Sequence, residues 1–280
     1  MGKIVWLASY PKSGNTWMRT FLHNLMRNPN EPHDINKINE LSTGDSIPIW
    51  YKRVINKPME EWSRQDVADV RWEAQRLMAY SRADNIFVKT HNAMVEFLGK
   101  PLIHMEWTAG AIYIVRNPLD VCISLADHYG VSIDEAIRAM GDETTATVGS
   151  DKVIYEIHTS WSNHCWSWTQ NPHPGLLVLR YEDMLHHPKQ AFGSVCNFLG
   201  LRPPKARLER AIQLSSFDSL KKQEAEKGFR EVSERSLSKS FFRVGKSGQW
   251  RTTLSQEQID RVVERHKEQM QRFRYWPLPS

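Results

Sequence analysis

Four short apolar runs punctuate the chain, and each ends in a polar cluster. Lys3 to Ala8 leads into Ser9-Tyr10-Pro11-Lys12-Ser13-Gly14, and Ile86-Phe87-Val88 into Lys89-Thr90-His91. Ala111 to Val115 leads into Arg116-Asn117-Pro118, and Leu176 to Leu179 into Arg180-Tyr181-Glu182-Asp183. Continuous apolar runs of this length read as strands covered on both faces, and segments of helical period separate them. Trp17, Phe21, Leu22, Leu25 and Met26 predict a first helix with one apolar face. Ile154, Ile157, Trp161, Cys165 and Trp168 form another stripe, read as core, with His158 and His164 as ordinary helix residues on it. Ser255 and Gln258 make a capping-box pattern that opens a charged helix running to about Arg272. Asn28 to Trp62 is rich in Asn, Pro and Ser with no clear period, and Gln223 to Ser240 is polar and loop-like, a candidate flap. The pattern predicts an α/β fold: a single domain over residues 1–280, with a central parallel sheet flanked by helices. Ligands on such sheets bind beyond the carboxyl ends of the strands, where all four polar clusters fall.

A chain of 280 residues with 40% apolar content can bury a sizeable core. No window reaches the ~18 uninterrupted apolar residues of a membrane span. The N-terminus lacks a secretory signal's apolar stretch and cleavage site. The three cysteines, Cys122, Cys165 and Cys196, are far apart and show no metal-ligand spacing, so a cytoplasmic location is expected. The net charge of +5 is concentrated: Arg202 to Arg251 holds 13 Lys/Arg against 6 Asp/Glu. Such a segment suggests an anionic partner. No nucleic-acid-binding module is recognisable and the aromatics form no stacking strip, so a polyanionic small ligand is expected and nucleic acid is not.

The loop after the first strand carries the sharpest chemistry. Strand, tight loop and helix present successive N–H groups and a helix N-terminus to a phosphate or sulfate. Lys12 adds a point charge, and Ser13, Asn15 and Thr16 add neutral donors. The nucleotide-triphosphate template G-x-x-x-x-G-K-[ST] fails, because Lys12 precedes Gly14. Taken alone, the loop favours an anion site but leaves open a plain turn with Trp17 in the core; the agreement of four strand ends strengthens the anion site.

Tyr10-Pro11-Lys12-Ser13-Gly14-Asn15-Thr16-Trp17 resembles the phosphosulfate loop of the cytosolic-type sulfotransferases, Y-P-K-S-G-T-T-W, with Asn15 as its one departure. Arg116-Asn117-Pro118-Leu119-Asp120-Val121-Cys122-Ile123-Ser124 is similar to that family's R-N-P-x-D-V-x-x-S segment. Arg243-Val244-Gly245-Lys246-Ser247-Gly248-Gln249-Trp250 is similar to its R-K-G-x-x-G-x-W, with Val244 where Lys is usual. The resemblance implies a P-loop-like site for 3′-phosphoadenosine-5′-phosphosulfate (PAPS), whose product is adenosine 3′,5′-bisphosphate, and no metal. It implies that Lys12 to Trp17 cradle the 5′-phosphosulfate and that Arg116, Ser124, Arg243 and Gly245 bind the 3′-phosphate. Tyr181, in Y-E-D-M, and Ser215 and Phe217, in a T-S-F-like element, are implied at the adenine, with Phe217 opposite Trp17. Lys89-Thr90-His91 resembles the family's K-T-H, which makes His91 the expected general base and Lys89 a donor near the transferring group.

The reaction expected is sulfuryl transfer from PAPS to a hydroxyl or amine of a small-molecule acceptor, with Lys12 stabilising the leaving phosphate. Residues from Ile47 to Trp62, Tyr129 to Met140 and Gln223 to Ser240 are expected around the acceptor. Trp50, Tyr51 and Trp62 favour a hydrophobic or aromatic alcohol, and a homodimer is left open. Two rivals stay open at this point: a small-molecule kinase with the same strand-loop-helix logic, and a nucleotide-binding module without catalysis.

Overall fold

In chain order the strands are β1 (Ile4–Ser9), β2 (Ser42–Gly44), β3 (Ile86–Thr90), β4 (Glu96–Phe97), β5 (Lys100–Pro101), β6 (Thr108–Val115) and β7 (Leu176–Arg180). This computed structural model describes residues 2–278. Five strands form one sheet in the order β2-β3-β1-β6-β7, and every pairing in it is parallel. β4 and β5 form a separate antiparallel pair. β1 is buried at every residue, and its side chains alternate between two cores. Ile4, Trp6 and Ala8 enter one core, Val5 and Leu7 the other. β6 repeats the alternation, with Tyr113 and Val115 on the first face and Ile112 and Ile114 on the second. A strand between two helical layers requires this, because successive side chains point to opposite faces. Each fully buried large apolar side chain, Trp6 or Phe21 for example, contributes about 1.5–3 kcal/mol of burial free energy.

The short strand β2 lies inside the stretch that carries no apolar period. An edge strand of Ser42-Thr43-Gly44 gains backbone pairing from β3 and needs no apolar face to do so. The first helix spans Asn15–Arg27 and buries Met18, Phe21, Leu22 and Leu25. Met26, expected on that face, is exposed, and Trp17 is only partly buried. Nine residues at 3.6 per turn place those two on opposite sides.

The expected stripe from Ile154 to Trp168 is helical only from Trp161, where the Ser160 side chain caps the helix by accepting from the Asn163 N–H. Ile154 and Ile157 are buried but lie in an irregular segment, and His158 is therefore not a helix residue. The expected flap is also partly helical, because the helix Phe217–Lys227 includes Gln223. Its remainder is pinned. Asp127 accepts from the Ser238 N–H and hydroxyl, and Glu224 accepts from the N–H groups of Phe241 and Phe242. A third apolar cluster of Ile35, Ile38, Leu220, Phe229 and Phe242 seats the segment. The helix Gln256–Arg272 opens with the capping box that Ser255 and Gln258 predict. Among the described residues no helix is long and apolar enough to cross a membrane, and the three cysteines are unpaired and buried.

Candidate active site

Beyond the carboxyl ends of the strands lies a cavity of about 620 Å³, reached by residues of all four predicted clusters. The loop between β1 and the first helix forms its floor. Lys12 and Gly14 adopt left-handed backbone, φ 65° and 106°. Only glycine suits the second position, because a Cβ on Gly14 would lie 2.9 Å from the Tyr181 ring. The first-turn N–H groups of the helix have no partner within it and open onto the cavity, an arrangement suited to an anion. The Asn15 amide donates to the Leu7 carbonyl at 2.7 Å. Its side chain thus staples the helix to β1, donating also to the Ser9 hydroxyl at 3.4 Å, so the amide expected as a donor to a ligand is committed within the protein. The Thr16 hydroxyl donates to Glu231 at 3.2 Å, and the other Glu231 oxygen accepts from Arg19 at 2.8 Å. Ser13, expected among the ligand's donors, is fully buried outside the cavity lining, its hydroxyl without a partner.

Lys12 projects between two other elements. Its Nζ stands 3.4 Å from His128 Nδ1 and 3.9 Å from the centroid of Phe241. Burial, and then the Arg116 guanidinium, lower the Lys12 ammonium to about 8. Burial and Lys12 together lower His128 to about 4, so that imidazole is neutral.

Arg116 follows β6. It donates to the carbonyl of Lys12 at 2.9 Å and to that of Lys246 at 3.4 Å, with its guanidinium 4.3 Å from the Tyr181 ring centroid. Asn117 caps the helix Pro118–Tyr129 through the Leu119 N–H, and this helix carries Ser124 to the same cavity. Arg243 bonds Gln249 at 2.9 Å, and Val244 beside it lines the cavity. Lys246 does not replace the missing cation: its carbonyl meets Arg116, and its ammonium is absent from the lining. Trp17, Tyr181 and Phe217 form an aromatic wall, the first two edge to face at 5.7 Å. Gly245, at φ 64°, lies against that wall, and a Cβ there would meet the Phe217 ring at 2.1 Å. Ser215 does not join the site. Its hydroxyl is fully buried and donates back to the Ala211 carbonyl at 2.6 Å, satisfying the end of its own helix.

At the end of β3, Lys89 and His91 line the cavity. His91 Nδ1 is 2.8 Å from the Ser9 carbonyl, which can only accept. Nδ1 therefore carries the proton and Nε2 keeps its lone pair. Behind it, His164 Nε2 meets the His91 carbonyl at 3.2 Å, and Tyr113 meets His164 Nδ1 at 2.9 Å. Burial, and then the Lys89 ammonium, hold the His91 imidazole well below its usual range.

Of the segments expected around an acceptor, Ile47, Tyr129, Arg230 and Glu231 reach the cavity. Trp50, Tyr51 and Trp62 do not: Trp50 donates to Thr43, and Tyr51 is fully buried in the core. Lys152, Val153 and Glu156 line it instead, Glu156 from a segment whose apolar spacing predicts helix and the other two from just before it. His128 was within reach of the sequence, since it falls one helical turn after Ser124. Glu231 falls within a segment expected around the acceptor without being singled out, and Arg19 carried no signal before the chain was folded. Of the cations between Arg202 and Arg251, only Arg230 and Arg243 line the cavity, so most of that positive segment is surface.

The sulfotransferase domain family matches the chain over residues 3–274. Sulfotransferase 1A1 of Canis lupus familiaris is 24% identical over 260 residues, 91% of this chain and 79% of that protein. Flavonol 3-sulfotransferase of Flaveria bidentis is 26% identical over 273 residues, 92% of this chain and 78% of that protein. Among solved structures, a mouse sulfotransferase complexed with PAP superposes with a TM-score of 0.61 at 19% identity, covering 96% of this chain and 84% of that one. Retinol dehydratase in complex with androsterone and PAP superposes at 0.65 and 18% identity, covering 95% and 80%. The family match encloses every strand end that reaches the cavity, and the sheet order, the left-handed loop and the aromatic wall all lie within it. The chain belongs to the sulfotransferase domain family.

Proposed function

We propose that this protein transfers the sulfuryl group of PAPS to a hydroxyl or amine of a small-molecule acceptor, with His91 as general base. One observation carries the reading. The pairing of His91 Nδ1 with the Ser9 carbonyl fixes an acceptor nitrogen in the same cavity as the anion loop. A module that only bound nucleotide would need no base there, and the Lys12–Gly14 order does not suit a kinase. The residues fit the donor. Gly14 and Gly245 admit aromatic rings where a Cβ would intrude, and the complexes of neighbouring folds with PAP point to the same ligand.

PAPS supplies an electrophilic sulfur and a phosphate leaving group. His91 Nε2 takes the acceptor proton as the acceptor oxygen or nitrogen attacks sulfur in line. On the opposite side Lys12 and the loop N–H groups face the phosphate that leaves, and they act where charge grows. Arg116, Ser124, Arg243 and the backbone at Gly245 hold the 3′-phosphate, Arg116 by its guanidinium fork. Trp17, Phe217 and Tyr181 hold the adenine. Lys89 donates to the transferring group. Ile47, Val153 and Tyr129 add apolar surface to the cavity lining, which supports a hydrophobic alcohol as acceptor; the names of the relatives, a flavonol sulfotransferase among them, agree. We read the protein as one cytoplasmic domain.

The test is transfer from radiolabelled PAPS to a panel of phenols, alkanols, amines and glycans. Label should appear in a hydroxyl or amine acceptor without added divalent cation. Transfer of the terminal phosphate of ATP in the presence of magnesium, with PAPS inert, would overturn the reading.

A further inference from the structure

Glu156 lines the cavity beside Lys89, and the fold delivers it there on a segment held by hydrogen bonds to distant loops. The Ile154 N–H donates to the Ser46 carbonyl, and the Ile157 N–H to the Asn92 side chain at 2.7 Å. The Ala93 N–H donates back to the Ile157 carbonyl, while Thr147 accepts from the Glu156 N–H and donates its own to the Glu156 carbonyl. Glu156 is thus bonded on both sides, between the loop after β2 and the loop after β3. Its Oε1 lies 3.6 Å from the Lys89 ammonium and is buried without a hydrogen-bond donor. Its Oε2 lies 3.9 Å from His158 Nε2, and the His158 ring stands edge-on to His91 at 6.3 Å.

We propose that Glu156 is a positioning residue of the transfer step, which anchors Lys89 and offsets the positive charge His91 gains with the acceptor proton. The proposal rests on the reading of His91 as base. Lys89 and a protonated His91 are two cations at one strand end, and without a nearby anion each opposes the other. The surroundings leave Glu156 that task. Burial alone would raise its carboxyl, but Lys89, with His158 and His91, holds it well below the usual carboxylate range. Two other acids are at hand. Glu231 lines the same cavity, but its two oxygens accept from Thr16 and Arg19. Asp45 is the second. It is fully buried, faces Arg71 at 4.0 Å, accepts from Thr90 and Asn92, and is pushed up by burial and by Glu156 itself. Toward His91, burial and Lys89 disfavour protonation while Glu156 favours it. His164, lowered to about 3 chiefly by burial, and Tyr10 and Tyr129, raised chiefly by burial, stay neutral.

Glu156→Gln keeps the shape and removes the charge. Its affinity for adenosine 3′,5′-bisphosphate should stay within about twofold, reporting an intact fold and donor site, while kcat falls about tenfold or more, part of what a general base contributes. The acidic limb of kcat should move to lower pH, because the imidazolium has lost its stabilising anion and His91 then protonates only at lower pH. Wild-type kcat with an unmoved limb overturns the proposal, as does a loss confined to the acceptor KM. Should Glu156→Gln fail to bind the nucleotide, Glu156→Asp carries the test, since it draws the charge back. A smaller fall in kcat with the limb displaced the same way is expected, and wild-type behaviour overturns. His91→Ala is measured alongside. If it is inactive while Glu156→Gln is normal, only this proposal fails; if it is fully active, the reading of His91 fails as well.

Discussion

Arg116→Ala separates the brace that Arg116 makes from the 3′-phosphate contact proposed for it. The buried guanidinium braces the anion loop through the Lys12 carbonyl at 2.9 Å, touches the Lys246 carbonyl at 3.4 Å and covers the Tyr181 ring. Losing such a brace costs about 1–2 kcal/mol, and every adenine nucleotide pays it alike. The proposed 3′-phosphate contact is different, a charge-assisted pair of about 1.5–3 kcal/mol that only a nucleotide carrying that phosphate can lose. At 1.4 kcal/mol for each factor of ten, the preference for adenosine 3′,5′-bisphosphate over AMP should fall about 10- to 150-fold. Calorimetry of both nucleotides on both proteins, at one salt concentration, reads the two effects apart. The common loss is the brace and the differential loss is the phosphate contact. Arg116→Lys, which keeps charge without the fork, should fall between. Equal losses for the two nucleotides would refute the 3′-phosphate assignment and leave Arg116 as a brace.

Lys12→Ala should lower turnover more than product affinity, since its charge matters most as the leaving phosphate develops. With the Lys12 ammonium at about 8, below the usual lysine range, the free protein loses that cation as pH rises through this value. Nucleotide affinity should therefore decline above it in wild type and not in Lys12→Ala; a flat titration across that pH in wild type contradicts the role. Gly245→Ala should weaken the nucleotide at least ~10-fold, because a Cβ 2.1 Å from the Phe217 ring displaces the adenine wall and a left-handed alanine adds about 1–2 kcal/mol of strain. A crystal structure with Phe217 unmoved and affinity unchanged would show that the wall tolerates it. Ser215→Ala should leave affinity within about twofold, since its hydroxyl is spent on its own helix; a larger loss measured by calorimetry would return it to the site.

The sheet was legible because β1, β3 and β6 are buried on both faces, which leaves continuous apolar runs in the sequence. The anion loop was legible because left-handed Gly14, a cation and a helix N-terminus must fall close together in the chain. Ser42–Gly44 was hidden, since an edge strand can live on backbone pairing alone. The region Ile154 to Ser160 was misread because buried apolar residues three apart mimic a helix, while its hydrogen bonds go to Ser46 and Asn92, far off in sequence, and to Thr147. Glu156 came into view only with those contacts. Trp50 and Tyr51 misled about the acceptor for the converse reason, because large aromatics serve a core as readily as a pocket. Asn15 and Ser215 have the right chemistry for a ligand, yet backbone carbonyls near them claim their donors.

The central claim turns on His91, and His91→Ala tests it most directly. Nucleotide affinity should remain close to wild type, because the ring touches the Ser9 carbonyl and lies away from the residues assigned to adenine and 3′-phosphate. Turnover with radiolabelled PAPS should fall ~10²-fold or more. The fall should be steepest for alkanols and shallower for acidic phenols, which arrive partly ionised. A folded His91→Ala protein that binds nucleotide normally and sulfates alkanols at the wild-type rate would contradict the account.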